Sequence, residues 1–237
     1  MKNKRFLVLM GNYASGKTEI PMQLAYDSAE RGERVLMIDL DMINTYFRLY
    51  DHKQALESAG IALVAPDLVA SGIEMLTIPP EIAIAFDDDW DTVVIDLGGD
   101  TGALALGQFH NKLSAAQRAG AEIVVYNVVN TNRPMADTPE KIVGLMDRMQ
   151  GKARWQVTGM IHNSNMAGET TTEDLLEGLA IIKRAVEQSG VPVLHTAGTR
   201  TVLEDFLRQH PEQHCVGQPL FLEPRMHRSW VTMAEDL

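Results

Sequence analysis

A single cysteine, Cys215, stands among 237 residues. The chain therefore has no internal disulfide and no multi-cysteine metal or cluster site of its own. Positive charge is scarce as well: 21 Lys and Arg against 32 Asp and Glu leave a formal net charge of −11. That balance argues against a broad nucleic-acid surface, which needs clustered Lys and Arg for phosphate, and against an acidic membrane as a first partner. No apolar run approaches the roughly 18–20 residues that span a bilayer. The opening MKNKRFLVLMGN joins basic residues to a short apolar run. That run leads into a glycine-rich loop and reads as a first strand, not as a signal peptide. The ending RMHRSWVTMAEDL is acidic and short for an amphipathic membrane anchor. Repeats, low-complexity tracts and Pro/Gly/Ser linkers are missing too. The expectation is one cytoplasmic domain over residues 1–237.

What is present is a soluble composition, 45% apolar and 22% charged, arranged as short branched apolar runs between helix-period segments. The expected strands are Phe6–Met10, Val35–Asp39, Val93–Asp96, Ile123–Asn127, Val157–His162 and Val193–His195. Several lack polar alternation, as strands covered on both faces do. Thr138 with Pro139 opens a helix expected to stop at Gly151, and Thr171–Thr172 opens another that ends at Gly190. This alternation predicts an α/β fold: a doubly wound, mostly parallel sheet with helices on both faces. Ligands in such folds sit at the carboxyl ends of the strands.

Gly11-Asn12-Tyr13-Ala14-Ser15-Gly16-Lys17-Thr18 fits G-x-x-x-x-G-K-[ST] in full. Such a loop curls its backbone N–H groups, including those of Ala14, Ser15 and Gly16, around a phosphate. Lys17 would reach the β- and γ-phosphates, and the Thr18 hydroxyl would bind Mg²⁺. The helix expected from about Lys17 aims its positive dipole end at the same place. Pro21 is tolerable there only within the first turn. VLMIDLD ends in Asp39 and Asp41, carboxylates suited to holding Mg²⁺ through water or orienting an attacking water. WDTVVIDLGGD ends a strand in Asp96, a second Mg²⁺ partner, and reads D-x-x-G, so that Gly99 would offer its N–H to a γ-phosphate. Base recognition is less sharply written. Asn163-Ser164-Asn165-Met166 and Asn130-Thr131-Asn132-Arg133 each lack the aspartate of the guanine-reading N-K-x-D. Adenine is favoured, with Asn163 at the base edge. His210, His214 and Cys215 read as an exposed turn, because Pro211 follows the first His where a zinc helix needs Glu.

With GNYASGKT, MIDLD, VVIDLGGD and HNSN in place, most of the chain resembles the MinD/ParA/CobQ-type P-loop ATPases (SIMIBI class). That superfamily also includes nitrogenase iron protein, arsenite-pump ATPases and metal-centre maturation ATPases. DLDMINTYFR, NVVNTNRP and NSNMAGETT look closer to a poorly characterised group of bacterial ATP-binding proteins. The resemblance implies a three-layer P-loop NTPase using ATP and Mg²⁺, with Asp39 near the attacking water, Asp96 as the Walker B acid and Asn163 on adenine. It also implies a homodimer that serves a protein client. Many relatives carry a signature lysine directly after the first loop glycine, where this chain has Asn12. Asn12 or Arg48 stands as a candidate substitute. Two other readings accompany the switch: an ATP-dependent kinase or ligase for a small molecule, with a pocket around Asn44, Tyr46 and Arg48, and a nucleotide-gated binding module without catalysis.

Overall fold

The computed structural model describes residues 4–41, 49–65, 80–87, 89–166, 169–211 and 217–223. Eight strands follow one another along the chain: β1 (Arg5–Gly11), β2 (Val35–Leu40), β3 (Ile61–Val64), β4 (Thr92–Leu97), β5 (Glu122–Val129), β6 (Gly159–His162), β7 (Val193–Gly198) and β8 (Gln218–Phe221). They form one parallel sheet in the order β3-β2-β4-β1-β5-β6-β7-β8. The helices are α1 (Glu19–Glu30), α2 (Lys53–Ser58), α3 (Gly99–Gln108), α4 (His110–Arg118), α5 (Pro139–Ala153), α6 (Thr172–Ser189) and α7 (Arg200–Gln209). Short 3₁₀ segments lie at Leu49–His52 and Pro80–Phe86.

Strand alternation sorts the side chains into two cores. Leu7, Leu9, Val35, Met37 and Val94 pack with Ile20, Met22 and Ala25 of α1 and Leu56 of α2. On the opposite face Phe6, Val8, Val93, Ile95 and Val125 meet α3, α4 and α5 through Leu106, Leu113, Met146 and Met149. Helix α6 extends the second layer through Ile182 and Ala185 on Met160, and α7 packs on α6 through Leu203 and Phe206. The result is the expected doubly wound, three-layer α/β/α arrangement, with β1 at its centre.

Three of the boundaries that differ from expectation have a local reason. Helix α1 begins at Glu19 because Thr18 is its N-cap residue. Pro21 is then third in the helix, where its missing N–H removes no intrahelical bond. Helix α5 runs through Gly151 and stops only where Arg154 adopts a left-handed φ of 58°. Strand β6 starts at Gly159, since Val157 donates its N–H to Gln150 Oε1 and the Thr158 hydroxyl is occupied with the Val125 backbone. Strands β3 and β8 are additional. Among the described residues no helix is long and apolar enough to cross a membrane.

Candidate nucleotide site

The loop after β1 is held in a curl by two left-handed residues, Ala14 (φ 57°) and Gly16 (φ 88°). A Cβ at position 16 would overlap the Asn163 side-chain amide, so glycine is required there twice over. Asn12 O accepts from Ser15 N at 3.2 Å and from Lys17 Nζ at 2.7 Å, which folds the lysine across the loop. Asn12 Oδ1 accepts the Tyr13 N–H at 2.8 Å, which leaves the Tyr13 ring 73% exposed at the loop tip. The N–H groups of Gly16, Lys17 and Thr18 donate to no other described residue, and the buried Ser15 hydroxyl has no partner. Converging free N–H groups at a helix start form an anion cradle.

On one side of this loop lie the acids. Asp39 and Asp96 are partners across β2 and β4, on the face that α1 covers. The Thr18 hydroxyl caps no helix N–H; it donates to Asp96 instead. Burial pushes the Asp39 carboxyl up to about 7, reinforced by Asp41, although the Asp41 and Leu49 N–H groups oppose the shift. Asp96 is pushed up to about 8, first by burial and then by Asp39. Burial lowers the Lys17 ammonium below its ordinary value, against the pull of Asp96 and Asp41. Two oxygen-rich acids, a hydroxyl and an unpartnered buried Asp96 Oδ1 suit a hard divalent cation such as Mg²⁺. Among the described residues no three His, Cys, Asp or Glu cluster to hold a metal by themselves. Nucleotide phosphate and water would therefore complete any such shell.

Strand β2 ends at Leu40, so Asp41 does not continue the alternation from Asp39. Its N–H turns back to Asp39 Oδ1 at 2.8 Å, and its Cα lies 2.5 Å from where a Cβ on Gly98 would be. The Asp96–Gly99 segment is thereby packed on the β2 loop. Gly99 has a φ of 52° and opens α3. Next to it, Asp100 pairs with Lys152 at 2.8 Å and Arg148 at 3.5 Å on α5. Lys152 foremost holds the Asp100 carboxyl below its usual range. A cavity of about 310 Å³ opens here between Asn12, Lys17, Asp41, Asp100, Arg148 and Met149.

On the other side of the loop, Asn163 Nδ2 donates to Ser15 O at 2.7 Å, which leaves its Oδ1 buried and unpartnered. Arg133 Nε donates to Ala14 O at 3.1 Å. Asn130 ties the two outer loops together, donating from Nδ2 to Asn165 O at 2.9 Å. The structure thus gathers Gly11 to Thr18, Asp39, Asp96, Gly99 and Asn163 at one end of the sheet. Sequence reasoning missed the Asp100–Lys152–Arg148 cluster and the reach of Arg133. Asp100 borders the D-x-x-G pattern, but nothing local marks Arg148 or Lys152. Asn44, Tyr46, Arg48, His214, Cys215 and the 225–237 tail lie outside the described residues.

No family model matches the chain, and no curated protein matches its sequence. Solved structures do. Cell division protein FtsY from Thermotoga maritima superposes at a TM-score of 0.55 and 18% identity, covering 83% of this chain and 62% of its own. Chloroplast FtsY from Physcomitrella patens gives 0.52 at 16% identity over 83% of this chain and 59% of its own. Septum site-determining protein MinD from Pyrococcus horikoshii, complexed with Mg-ADP, superposes more loosely at 0.46 and 16% identity, over 87% of this chain and 86% of its own. The chain spans less than two thirds of the FtsY proteins it matches. The likeness is one of fold: the chain shares the three-layer α/β/α architecture of these FtsY structures.

Proposed function

We propose that the chain is a Mg-ATP-binding switch that hydrolyses ATP slowly and acts on a protein partner. The observation that carries this reading is the cradle itself. Three free N–H groups, the Ser15 hydroxyl and the Lys17 ammonium surround one hollow, with Thr18 and Asp96 joined at its edge. Lys17 would leave Asn12 O for phosphate oxygen, a stronger charge-assisted partner. Mg²⁺, held through Thr18 and Asp96 with Asp39 at its water shell, would supply charge neutralisation across the phosphates. Asp39 would also orient the attacking water. Gly99 would turn its N–H to the γ-phosphate, and the segment from Asp96 to Asp100 would relax after hydrolysis.

Adenine is supported by the amide of Asn163. A carbonyl only accepts, so Ser15 O fixes which end of that amide faces it, and Oδ1 remains as an acceptor. An acceptor suits the amino group of adenine and repels the carbonyl of guanine. The homodimer and the protein client rest on the likeness of the sequence motifs to the MinD/ParA/CobQ type. Calorimetry with Mg-ATP and Mg-GTP, together with phosphate release, tests the reading. Tighter binding of Mg-ATP and slow turnover are expected, and a protein that binds neither nucleotide defeats the proposal. Light scattering in Mg-ATP against Mg-ADP reads the dimer.

A second reading is phosphoryl transfer to a small acidic acceptor. It draws support from the cavity beside Asp100 and Arg148, whose guanidinium suits a carboxylate or phosphate. Turnover that rises only when one metabolite is added would favour it over the switch.

A further inference from the structure

The two flanks of the phosphate loop differ in chemistry. The acids Asp39 and Asp96 sit on β2 and β4, to one side of β1. The loops after β5 and β6 lie to the other side and carry amides and one cation. A polyphosphate seated in the loop with its terminal, metal-bound end toward the acids has its nucleoside emerging toward β5 and β6. The free N–H groups belong to Gly16, Lys17 and Thr18, and Ala14 O and Ser15 O are two consecutive carbonyls just before them. Each is taken by a side chain from that nucleoside flank, Arg133 Nε for Ala14 and Asn163 Nδ2 for Ser15.

Arg133 is placed rigidly for a surface arginine. Its N–H donates to Asn130 O at 3.2 Å, its carbonyl accepts from Ala136 N at 2.8 Å, and Asn130 is itself anchored to Asn165 O. The single bond through Nε fixes the guanidinium at the loop rim. Neither Nη has a partner among the described residues. A planar cation held by one edge, with free donors and no ring already stacked on it among the described residues, is suited to a purine ring, which guanidinium planes cover by cation–π and stacking contact.

We infer that Arg133 grips the nucleoside: its guanidinium lies against the purine face and secures the base-bearing end of the nucleotide. The inference rests on the nucleotide-binding reading and assigns it a residue beyond the motif positions. Arg133 is no replacement for the missing signature lysine, because it stands on the flank away from the acids.

Calorimetry on the full chain with Mg-ATP, Mg-ADP and Mg-tripolyphosphate tests this. Arg133→Ala is expected to weaken Mg-ATP and Mg-ADP alike, by about tenfold or more, while tripolyphosphate binding stays within about twofold. In turnover assays the loss should appear as a raised KM, with kcat falling far less. Arg133→Lys keeps the charge without the plane and should recover only a minor part of the affinity. Three results overturn the inference: an equal loss for tripolyphosphate, which would make Arg133 a prop for Ala14; a fall in kcat with affinity kept; or full affinity in either variant. If the unaltered protein binds ATP and tripolyphosphate not at all, the nucleotide reading falls first and this one with it.

Discussion

Asp39 and Asp96 stand directly opposite each other on adjacent strands, both buried, with the Lys17 ammonium as the nearby cation. Raised carboxyl values, about 7 and about 8 against an ordinary 3.8, mean that the folded chain holds more protons than the unfolded one between those limits. Stability of the nucleotide-free protein should therefore be highest below pH 4 as far as this pair is concerned, and fall as pH rises toward 8. Asp39→Asn is expected to raise the thermal midpoint at pH 8 and to flatten the slope. Urea unfolding between pH 5 and 8 checks it, and an unchanged slope in the variant would sink the assignment.

The same pair predicts a cation effect. Mg-nucleotide should stabilise the protein far more at pH 8 than at pH 6, because the acids must shed their protons to face a cation. Thermal shifts at fixed nucleotide excess are the measurement.

Lys17 Nζ donates its hydrogen bond within the loop, to Asn12 O, and not to a core strand or helix. Lys17→Ala should therefore keep the far-UV circular dichroism of the parent. Hydrolysis should fall by about 10²-fold or more, since a preorganised charge at the phosphates is lost.

His162 gives a pH dependence of opposite sign. It is buried, its Nε2 lies 2.8 Å from Ser164 Oγ, and that oxygen lies 2.6 Å from Thr131 Oγ1. Burial holds the imidazole down at about 4 against 6.5, so it is neutral at working pH. Stability from this site is present above pH 6.5 and is lost as pH falls through about 4. His162→Gln keeps a polar partner for Ser164 and should lose less stability between pH 6.5 and 4 than the parent.

Helix α6 carries a full capping box: Thr171 Oγ1 accepts from Asp174 N at 3.2 Å, and Asp174 Oδ2 accepts from Thr171 N at 2.8 Å. Thr171→Ala should cost about 1 kcal/mol in chemical denaturation.

The legible parts of the molecule were those written locally. The loop from Gly11 to Thr18, the ends of β2 and β4, and the caps at Thr138, Thr171 and Gly190 are each specified within a few residues. Strand β3 was not legible because IALV is only four residues long, and three of them are only half-buried. Strand β8 was hidden by Pro219, which weighs against a strand in sequence but is harmless in the last strand of the sheet. Gly151 suggested a stop because glycine usually ends helices, yet it sits in open space on α5 and costs that helix only a little. The close approach of Asp41 to Gly98 and the partners of Asp100 and Arg133 are set by tertiary packing, and no spacing in the chain encodes them.

The bonds to Ala14 O and Ser15 O come from residues 119 and 148 positions downstream. During synthesis the first strand and helix emerge early, but the hollow they frame gains the second of its outer supports only once the sixth strand has left the ribosome. A nascent chain cut before Asn163 would then carry the motif intact and still grasp nothing.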